Sequence, residues 1–297
     1  MNVIATHGLT KDYGKGRGVF GLELTVPQGR VVGFLGPNGA GKTTTIRQLM
    51  GFIRPDAGTA EIFGQDCFAK APAIQARVGY LPGEIAFPDD MTGEGYLRFA
   101  ANLRGKTGRA SLARAKELCA RFELDPKLRI KRMSKGTKQK LGIIAAFMHS
   151  PELYLLDEPT SGLDPLMQGT FLALLAEEKA AGKTILLSSH IFEEVERTCD
   201  TAAILRAGRL VAVENMEALR KSRRKVFSLR FGDEKAAVLF ANGLPDAVRE
   251  GARVTVPVTG DVDALVKRAA CYPVRDLSVR PQSLEELFLH YYGGDAQ

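Results

Sequence analysis

The sequence predicts an α/β protein built on a mostly parallel sheet and followed by a smaller α+β unit. Three observations carry that prediction. Short, nearly all-apolar runs alternate with stretches whose apolar residues recur at helical spacing. A glycine-rich loop joins one apolar run directly to one such helix. Beyond about Asn215 the texture changes: a basic stretch from Arg220 to Lys225 precedes shorter elements in the order βαββαβ.

Taken in order, Asn2 to Gly8 and Gly18 to Val26 read as strands, the second with Leu22, Leu24 and Val26 alternating against Glu23 and Thr25. Arg30 to Leu35 is apolar enough to lie buried on both faces of a parallel sheet, and it runs into Gly36-Pro37-Asn38-Gly39-Ala40-Gly41-Lys42-Thr43. Ile46, Leu49, Met50 and Ile53 then fall on one helical face. Thr92 to Cys119 carries two helical stripes, one through Tyr96, Phe99 and Leu103 and one through Leu112, Ala115 and Leu118, parted by Gly105 to Gly108. Ser134 is the expected N-cap of a helix through Leu141, Ile144 and Met148. Strand Leu153 to Leu156 follows, then a helix capped by Asp164 with Pro165 at its first position. Strand Thr184 to Ser188, helix Ile191 to Cys199 and strand Ala202 to Leu205 complete the alternation.

Residues 216–224 read as a linker. After it, Phe227, Leu229 and Phe231 alternate with Ser228 and Arg230, a helix runs from Asp233 to Asn242, and Ala247 to Glu250 and Arg253 to Val258 flank Gly251 as a hairpin. A helix from Asp261 to Ala270 and a strand from Val274 to Val279 close a ferredoxin-like order. Pro257 is expected to place its strand at a sheet edge, since it cannot donate to a ladder. A last helix starts at Ser283, where Glu286 completes a capping box, with Leu284, Leu287, Phe288 and Tyr291 on its apolar face.

Composition narrows the classes. Of the 297 residues 45% are hydrophobic and 25% charged, which fits an ordinary globular chain and neither a collagen, a disordered chain nor a disulfide scaffold. The longest apolar run, Leu141 to Met148, is far short of the roughly 20 residues that cross a bilayer. Cys67, Cys119, Cys199 and Cys271 stand far apart and spell neither a zinc site nor a redox pair, which suits a reducing compartment. The formal charge of +7 would suit nucleic acid or an anionic membrane surface, but the basic residues are spread along the chain.

The chemistry concentrates in two motifs. Gly36 to Thr43 fits GxxxxGK[ST] between a buried strand and a helix, the context that gives the pattern its meaning. Its glycines let the backbone wrap a phosphate chain so that N–H groups and the helix N-terminus face the anion. Lys42 is expected to reach the β- and γ-phosphates and the Thr43 hydroxyl to join a Mg²⁺ shell. Asp157 and Glu158 end an apolar strand at its carboxyl end, where open α/β sheets bind ligands. Asp157 can hold Mg²⁺ through water while Glu158 orients and deprotonates an attacking water. For an Asp-Glu pair taken alone, capping a strand end in solvent is the simpler reading; the phosphate loop reverses it.

With these residues in hand, residues 1–215 resemble the ATP-binding subunit of an ATP-binding cassette (ABC) transporter. Met133-Ser134-Lys135-Gly136-Thr137 stands where that family has LSGGQ, with Gln139 just beyond; LYLLDEPTSGLDP runs from Leu153 to Pro165; LLSSH ends at His190; and Tyr13 lies in LTKDYG. The resemblance implies a P-loop NTPase cassette with an antiparallel β subdomain and a helical subdomain at about 84–150, followed by a C-terminal accessory domain over 225–297. It implies that Tyr13 stacks on adenine and that Gly36, Pro37, Asn38, Gly39, Ala40, Gly41, Lys42, Thr43 and Thr44 hold the phosphates. It further implies that His190 assists Glu158 in catalysis and that Thr43 and Asp157 hold the metal. Ser134, Lys135, Gly136 and Thr137 would meet the nucleotide of an opposite subunit, and Ser161, Gly162, Leu163 and Asp164 would form the loop after the acidic strand.

One position departs from the family. Where it usually has Gln after a Gly-Tyr-Leu-Pro strand end, this chain has Gly83 and then Glu84. Either Glu84 substitutes after a small backbone shift, or metal binding relies on Thr43 and Asp157. Thr137 in place of the last signature Gln is a lesser change.

The resemblance implies ATP and Mg²⁺ as cofactors, a homodimer or paralogous heterodimer, a separate transmembrane permease, and a peripheral place on the cytoplasmic face of the membrane without a nucleic-acid partner. The SKGTKQKLG wording and the C-terminal extension look most like the bacterial multidrug, antibiotic or lipid exporter branch. A soluble cassette ATPase acting on nucleic acid or ribosomes is the alternative, supported by the charge; a degenerate nucleotide-binding regulator draws support from Gly83 alone.

Overall fold

The computed structural model describes residues 1–103, 108–222, 224–244, 246–283 and 286–287, and its contacts divide the chain into two units, Met1–Met216 and Glu217–Gln297. In the first unit β1 (Asn2–Asp12) pairs antiparallel with β2 (Gly18–Pro27). β1 runs on past Gly8, the expected end, because the strand absorbs that residue's left-handed backbone in a register irregularity between Thr6 and Leu9. After β3 (Val31–Leu35) and α1 (Lys42–Leu49) come β4 (Ala57–Ile62) and β5 (Gln65–Asp66). The result is an antiparallel sheet of order β2-β1-β4-β5.

α2 (Ala71–Gln75) leads into β6 (Val78–Leu81). The stretch 84–150 holds α3 (Gly93–Leu103), α4 (Gly108–Arg121), a 3₁₀ turn at Ile130–Arg132 and α5 (Lys135–Phe147). Then β7 (Leu153–Asp157), α6 (Pro165–Ala180), β8 (Thr184–Ser189), α7 (Phe192–Thr198), β9 (Thr201–Arg206) and β10 (Arg209–Asn215) follow. The second sheet has the order β10-β9-β3-β8-β7-β6, parallel except for the antiparallel edge strand β10. β3, β7 and β8 are buried along their whole length; β3 is apolar throughout, while β7 ends in Asp157 and β8 in Ser188 and Ser189, which are buried with them. In register, Leu35 lies opposite Ser189 and Asp157 opposite Ser188, so the carboxyl ends of three neighbouring strands meet at one place.

The helical stretch is tied to this sheet by a buried carboxylate. Glu178 of α6 accepts from the Tyr154 hydroxyl of β7 at 2.7 Å and from the Arg114 guanidinium of α4. Tyr154 is fully buried, and that burial, with Glu178 behind it, pushes its hydroxyl far above the ordinary value.

At the boundary of the two units, α8 (Met216–Ser222) occupies most of residues 216–224, the stretch expected as a linker. Its Met-Glu-Ala-Leu-Arg-Lys run consists of strong helix formers, and Glu217 pairs with Lys221 one turn on at 2.7 Å. β11 (Lys225–Phe231), α9 (Glu234–Ala241), β12 (Val248–Glu250), β13 (Arg253–Val258), α10 (Asp263–Ala270) and β14 (Val274–Pro281) complete the second unit. The sheet order β12-β13-β11-β14, antiparallel throughout, is the ferredoxin-like one. Phe227, Leu229 and Phe231 pack with Ala237, Phe240 and Leu265 in a core of its own.

Pro257 corrects an expectation, because β13 lies inside the sheet. Its neighbour β12 is only three residues long and pairs no further than Thr255, so the ladder on that side has ended before the proline. The capping box forms: the Ser283 N–H donates to Glu286 Oε2 at 2.9 Å and the Glu286 N–H to Ser283 Oγ at 3.1 Å. Leu284, Phe288 and Tyr291 of the proposed apolar face lie outside the described residues.

Candidate active site

The loop after β3 is shaped by glycine where a side chain has no room. Gly41, the N-cap of α1, has φ 103, and a Cβ there would approach Gly18 O and Val19 Cγ2 to 3.0 Å. Lys42 is buried and its ammonium is held on three sides: it donates to Gly36 O at 2.6 Å and Pro37 O at 3.2 Å, and pairs with Glu158 Oε1 at 3.3 Å. Thr43 Oγ1 donates to Asp157 Oδ2 at 2.7 Å, while Oδ1 accepts from the Ser188 hydroxyl. Asp157 is fully buried between those two donors.

Glu158 sits just beyond β7 with φ 48, a left-handed conformation that costs a non-glycine residue of order 1–3 kcal/mol. Its N–H donates to Ser188, and its carbonyl and that of Pro159 accept from Gln139 Nε2 of α5. Its carboxylate bridges: Oε1 faces Lys42, and Oε2 lies 2.7 Å from His190 Nδ1. The sheet therefore brings Lys42, Thr43, Asp157, Glu158 and His190 into one cluster, although they are scattered from the first to the last third of the cassette sequence.

Tyr13 stands at the rim of the same place. An open cleft of about 300 Å³ over the loop is lined by Tyr13, Arg17, Gly18, Asn38 to Thr44 and Glu158. Tyr13 is 51% exposed, and the Lys11 ammonium lies 6.0 Å from the centroid of its ring.

The signature residues belong to a different neighbourhood. Ser134 caps α5 by accepting from the Thr137 N–H at 3.1 Å, and the Ser134 and Thr137 hydroxyls lie 2.8 Å apart. Lys135 and Gly136 pack on the loop after β7: a Cβ on Gly136 would meet Gly162 O at 2.5 Å, and the Lys135 stem lies over Gly162. Ser161 and Leu163 turn back on Glu158 and Thr160 through backbone bonds, and Asp164 caps α6 by accepting from the Met167 N–H. None of Ser134 to Thr137 lines the cleft over Lys42.

Gly83 lies directly against Asp157: a Cβ there would stand 3.0 Å from Asp157 Oδ2. Glu84 is exposed and forms no hydrogen bond with Asp157 or Thr43. Sequence reasoning names Gln139 only as the residue beyond the signature and assigns no role to it, to Ser188 or to Glu194, which hold Glu158, Asp157 and the loop around His190. Their only sequence signal is adjacency: Ser188 lies in the LLSSH run and Glu194 one helical turn beyond it.

The residues present suit a small hard cation. Thr43 and Asp157 offer converging oxygen donors, and among the described residues no group of three or more His, Cys, Asp or Glu side chains forms a cage. That is the donor set of Mg²⁺, which is held by one or two protein oxygens together with phosphates and water.

The profile of the ABC transporter family matches residues 19–161. The chain is 34% identical over 304 residues to the daunorubicin resistance ATP-binding protein DrrA3 of Streptomyces coeruleorubidus, covering 98% of this chain and 96% of that one. It is 37% identical over 240 residues to the bacitracin transport ATP-binding protein BcrA of Bacillus licheniformis, covering 80% and 78%. Among solved structures, an ATP-binding subunit of an ABC transporter superposes with a TM-score of 0.69 at 33% identity, covering 74% of this chain and 92% of that one.

Proposed function

The chain belongs to the ABC transporter family as an ATP-binding, ATP-hydrolysing subunit, and from that premise we propose that it powers a separate membrane permease that exports a drug, antibiotic or lipid-like compound. The observation that carries the catalytic assignment is the Glu158 carboxylate set between Lys42 at 3.3 Å and His190 at 2.7 Å. A phosphate oxygen reaching Lys42 competes with Glu158 for the ammonium. Glu158, released from that pair, then turns to an attacking water as the general base, with His190 orienting it.

The remaining roles follow the geometry. Tyr13 supplies a stacking face for adenine, and the backbone of Gly36 to Thr44 cradles the phosphates. Thr43 and Asp157 would hold Mg²⁺, which neutralises phosphate charge when bound, without help from Gly83 or Glu84. Ser134 to Thr137 serve the nucleotide of a second subunit, identical or paralogous, because within one chain they stand away from its own cleft. Residues 1–215 form the cassette and 225–297 an accessory domain with its own core. The names of the relatives, resistance and transport ATP-binding proteins, support the export reading and a peripheral place at the cytoplasmic membrane face. No helix among the described residues is long and apolar enough to cross a membrane, so a span is assigned to the partner.

The test is Glu158→Gln. The amide preserves shape and loses the base, so ATP binding should persist while multiple-turnover phosphate release falls by about 10²–10⁴-fold. Release near the wild-type rate would remove Glu158 from this role.

A further inference from the structure

Glu194, on α7, has no part in the chemistry above, yet its carboxylate joins the two strand ends that carry it. Oε1 accepts from the Thr160 hydroxyl and Oε2 from the Ser189 hydroxyl at 2.7 Å. Both hydroxyl-bearing residues are buried. Thr160 follows Glu158 by two residues, and Ser189 immediately precedes His190. A carboxylate only accepts, so both hydroxyls must donate to it. Ser189 Oγ then accepts from the Ile191 N–H at 2.9 Å, which pins the His190 peptide from both sides. On the other arm the Thr160 carbonyl accepts from the Leu163 N–H at 3.0 Å, and the Ser161 N–H donates to the Glu158 carbonyl at 3.1 Å.

We infer that Glu194 is a positioning residue for ATP hydrolysis: it clamps the loop of Glu158 to the loop of His190, so that their side chains meet in one fixed register. The inference rests on the assignment of Glu158 and His190 to hydrolysis. The clamp runs parallel to the direct 2.7 Å bond between those side chains and includes no contact with Lys42. It also includes the turn from Ser161 to Asp164, so a shift of the His190 loop is carried to that turn. A charged acceptor serves both hydroxyls at once. Glutamine in its place would present a donor to one of them and leave that hydroxyl without its acceptor.

The test uses the full chain in steady-state ATPase assays and nucleotide titrations. Glu194→Gln and Thr160→Val should each lower kcat by about tenfold, with KM and ATP affinity within about twofold of wild type, because misplacement of catalytic groups costs turnover rather than ground-state binding. The double variant should be no slower than either single variant, since both cut the same connection. Thr160→Ser, which restores the hydroxyl, should recover most of the turnover. Should Thr160→Val fail to fold, Ser189→Ala cuts the other arm and should show the same kcat loss and the same lack of additivity. Wild-type kcat in Glu194→Gln, losses that multiply in the double variant, or Thr160→Ser as slow as Thr160→Val would each overturn the inference. Glu158→Gln, measured in parallel, separates the two levels. If it hydrolyses normally, the site assignment fails; if it is inactive while Glu194→Gln is wild-type, only the clamp fails.

Discussion

Replacing Gly83 by alanine probes a position where glycine stands in place of the glutamine usual in the family. The added methyl would lie 3.0 Å from Asp157 Oδ2 and 3.2 Å from its Cγ, inside the roughly 3.5–4.0 Å at which such atoms attract. Asp157 has nowhere to retreat, being fully buried with Oδ2 accepting from Thr43 at 2.7 Å and Oδ1 from Ser188. Gly83 lies on a loop, so its own backbone can yield by a few tenths of an ångström. Overpacking of this kind costs about 1–3 kcal/mol, and the loop places the expectation toward the lower half. Whatever strain the loop does not absorb pushes the carboxylate off Thr43. Urea unfolding of Gly83→Ala should therefore show a loss of about 1–2 kcal/mol. Titration with ATP should show about tenfold weaker affinity in the presence of Mg²⁺, equivalent to roughly 1.4 kcal/mol, and little change without it. Gly83→Gln, which installs the family's usual residue, carries the same Cβ and should be no better. Wild-type stability and Mg²⁺-dependent affinity in Gly83→Ala, or faster turnover in Gly83→Gln, would refute the steric argument.

Other perturbations reach other parts of the reading. Mixing an inactive Lys42→Ala chain with an inactive Ser134→Arg chain should restore ATPase activity through one composite site per heterodimer; no recovery at any ratio, with heterodimers shown to form, would argue against sites shared between subunits. A chain ending at Met216 should stay soluble and bind ATP with little loss, because each unit has its own core; insoluble product would indicate one shared core. The Arg280 guanidinium beside Glu286, with the Ser283 N–H, holds its carboxyl down at about 2. A depressed carboxylate stabilises above its ordinary value and loses that contribution as pH falls through the folded value. Glu286→Gln should thus cost about 0.5 kcal/mol at neutral pH, discounted for partial exposure, and the difference should shrink as pH falls from the ordinary 4.5 toward 2. A urea-midpoint difference that stays constant down to about pH 3 would contradict this linkage.

What is legible in the sequence is whatever local physics decides. The strand before Lys42 shows itself by an unbroken apolar run, and α5 and α6 by Ser134 and Asp164 at their caps. β10 escapes because it is an edge strand whose residues alternate between half-buried and exposed and carry Arg209, Glu214 and Asn215. Its one signal is the two-residue turn at Ala207-Gly208, with φ 46 and 76, which makes it a hairpin with β9. α8 is hidden because its basic residues read as linker composition, although their helix propensity is high. In the site, the motifs name Lys42, Asp157 and Glu158, but no spacing rule predicts that Ser188 and Gln139 hold them. Those contacts come from strand register and from the packing of α5, both set by the whole sheet.

The left-handed backbone at Glu158 sets the demands of fold and chemistry against each other at a single residue. Glycine would adopt φ 48 without steric penalty, so by the fold's own preference glycine suits this position better than glutamate. A library randomised at residue 158 and sorted only for resistance to unfolding should drift toward glycine, and one sorted for ATP hydrolysis should return glutamate. The separation between those two winners would measure how much fold stability this chain gives up to keep a carboxylate beside its phosphate loop.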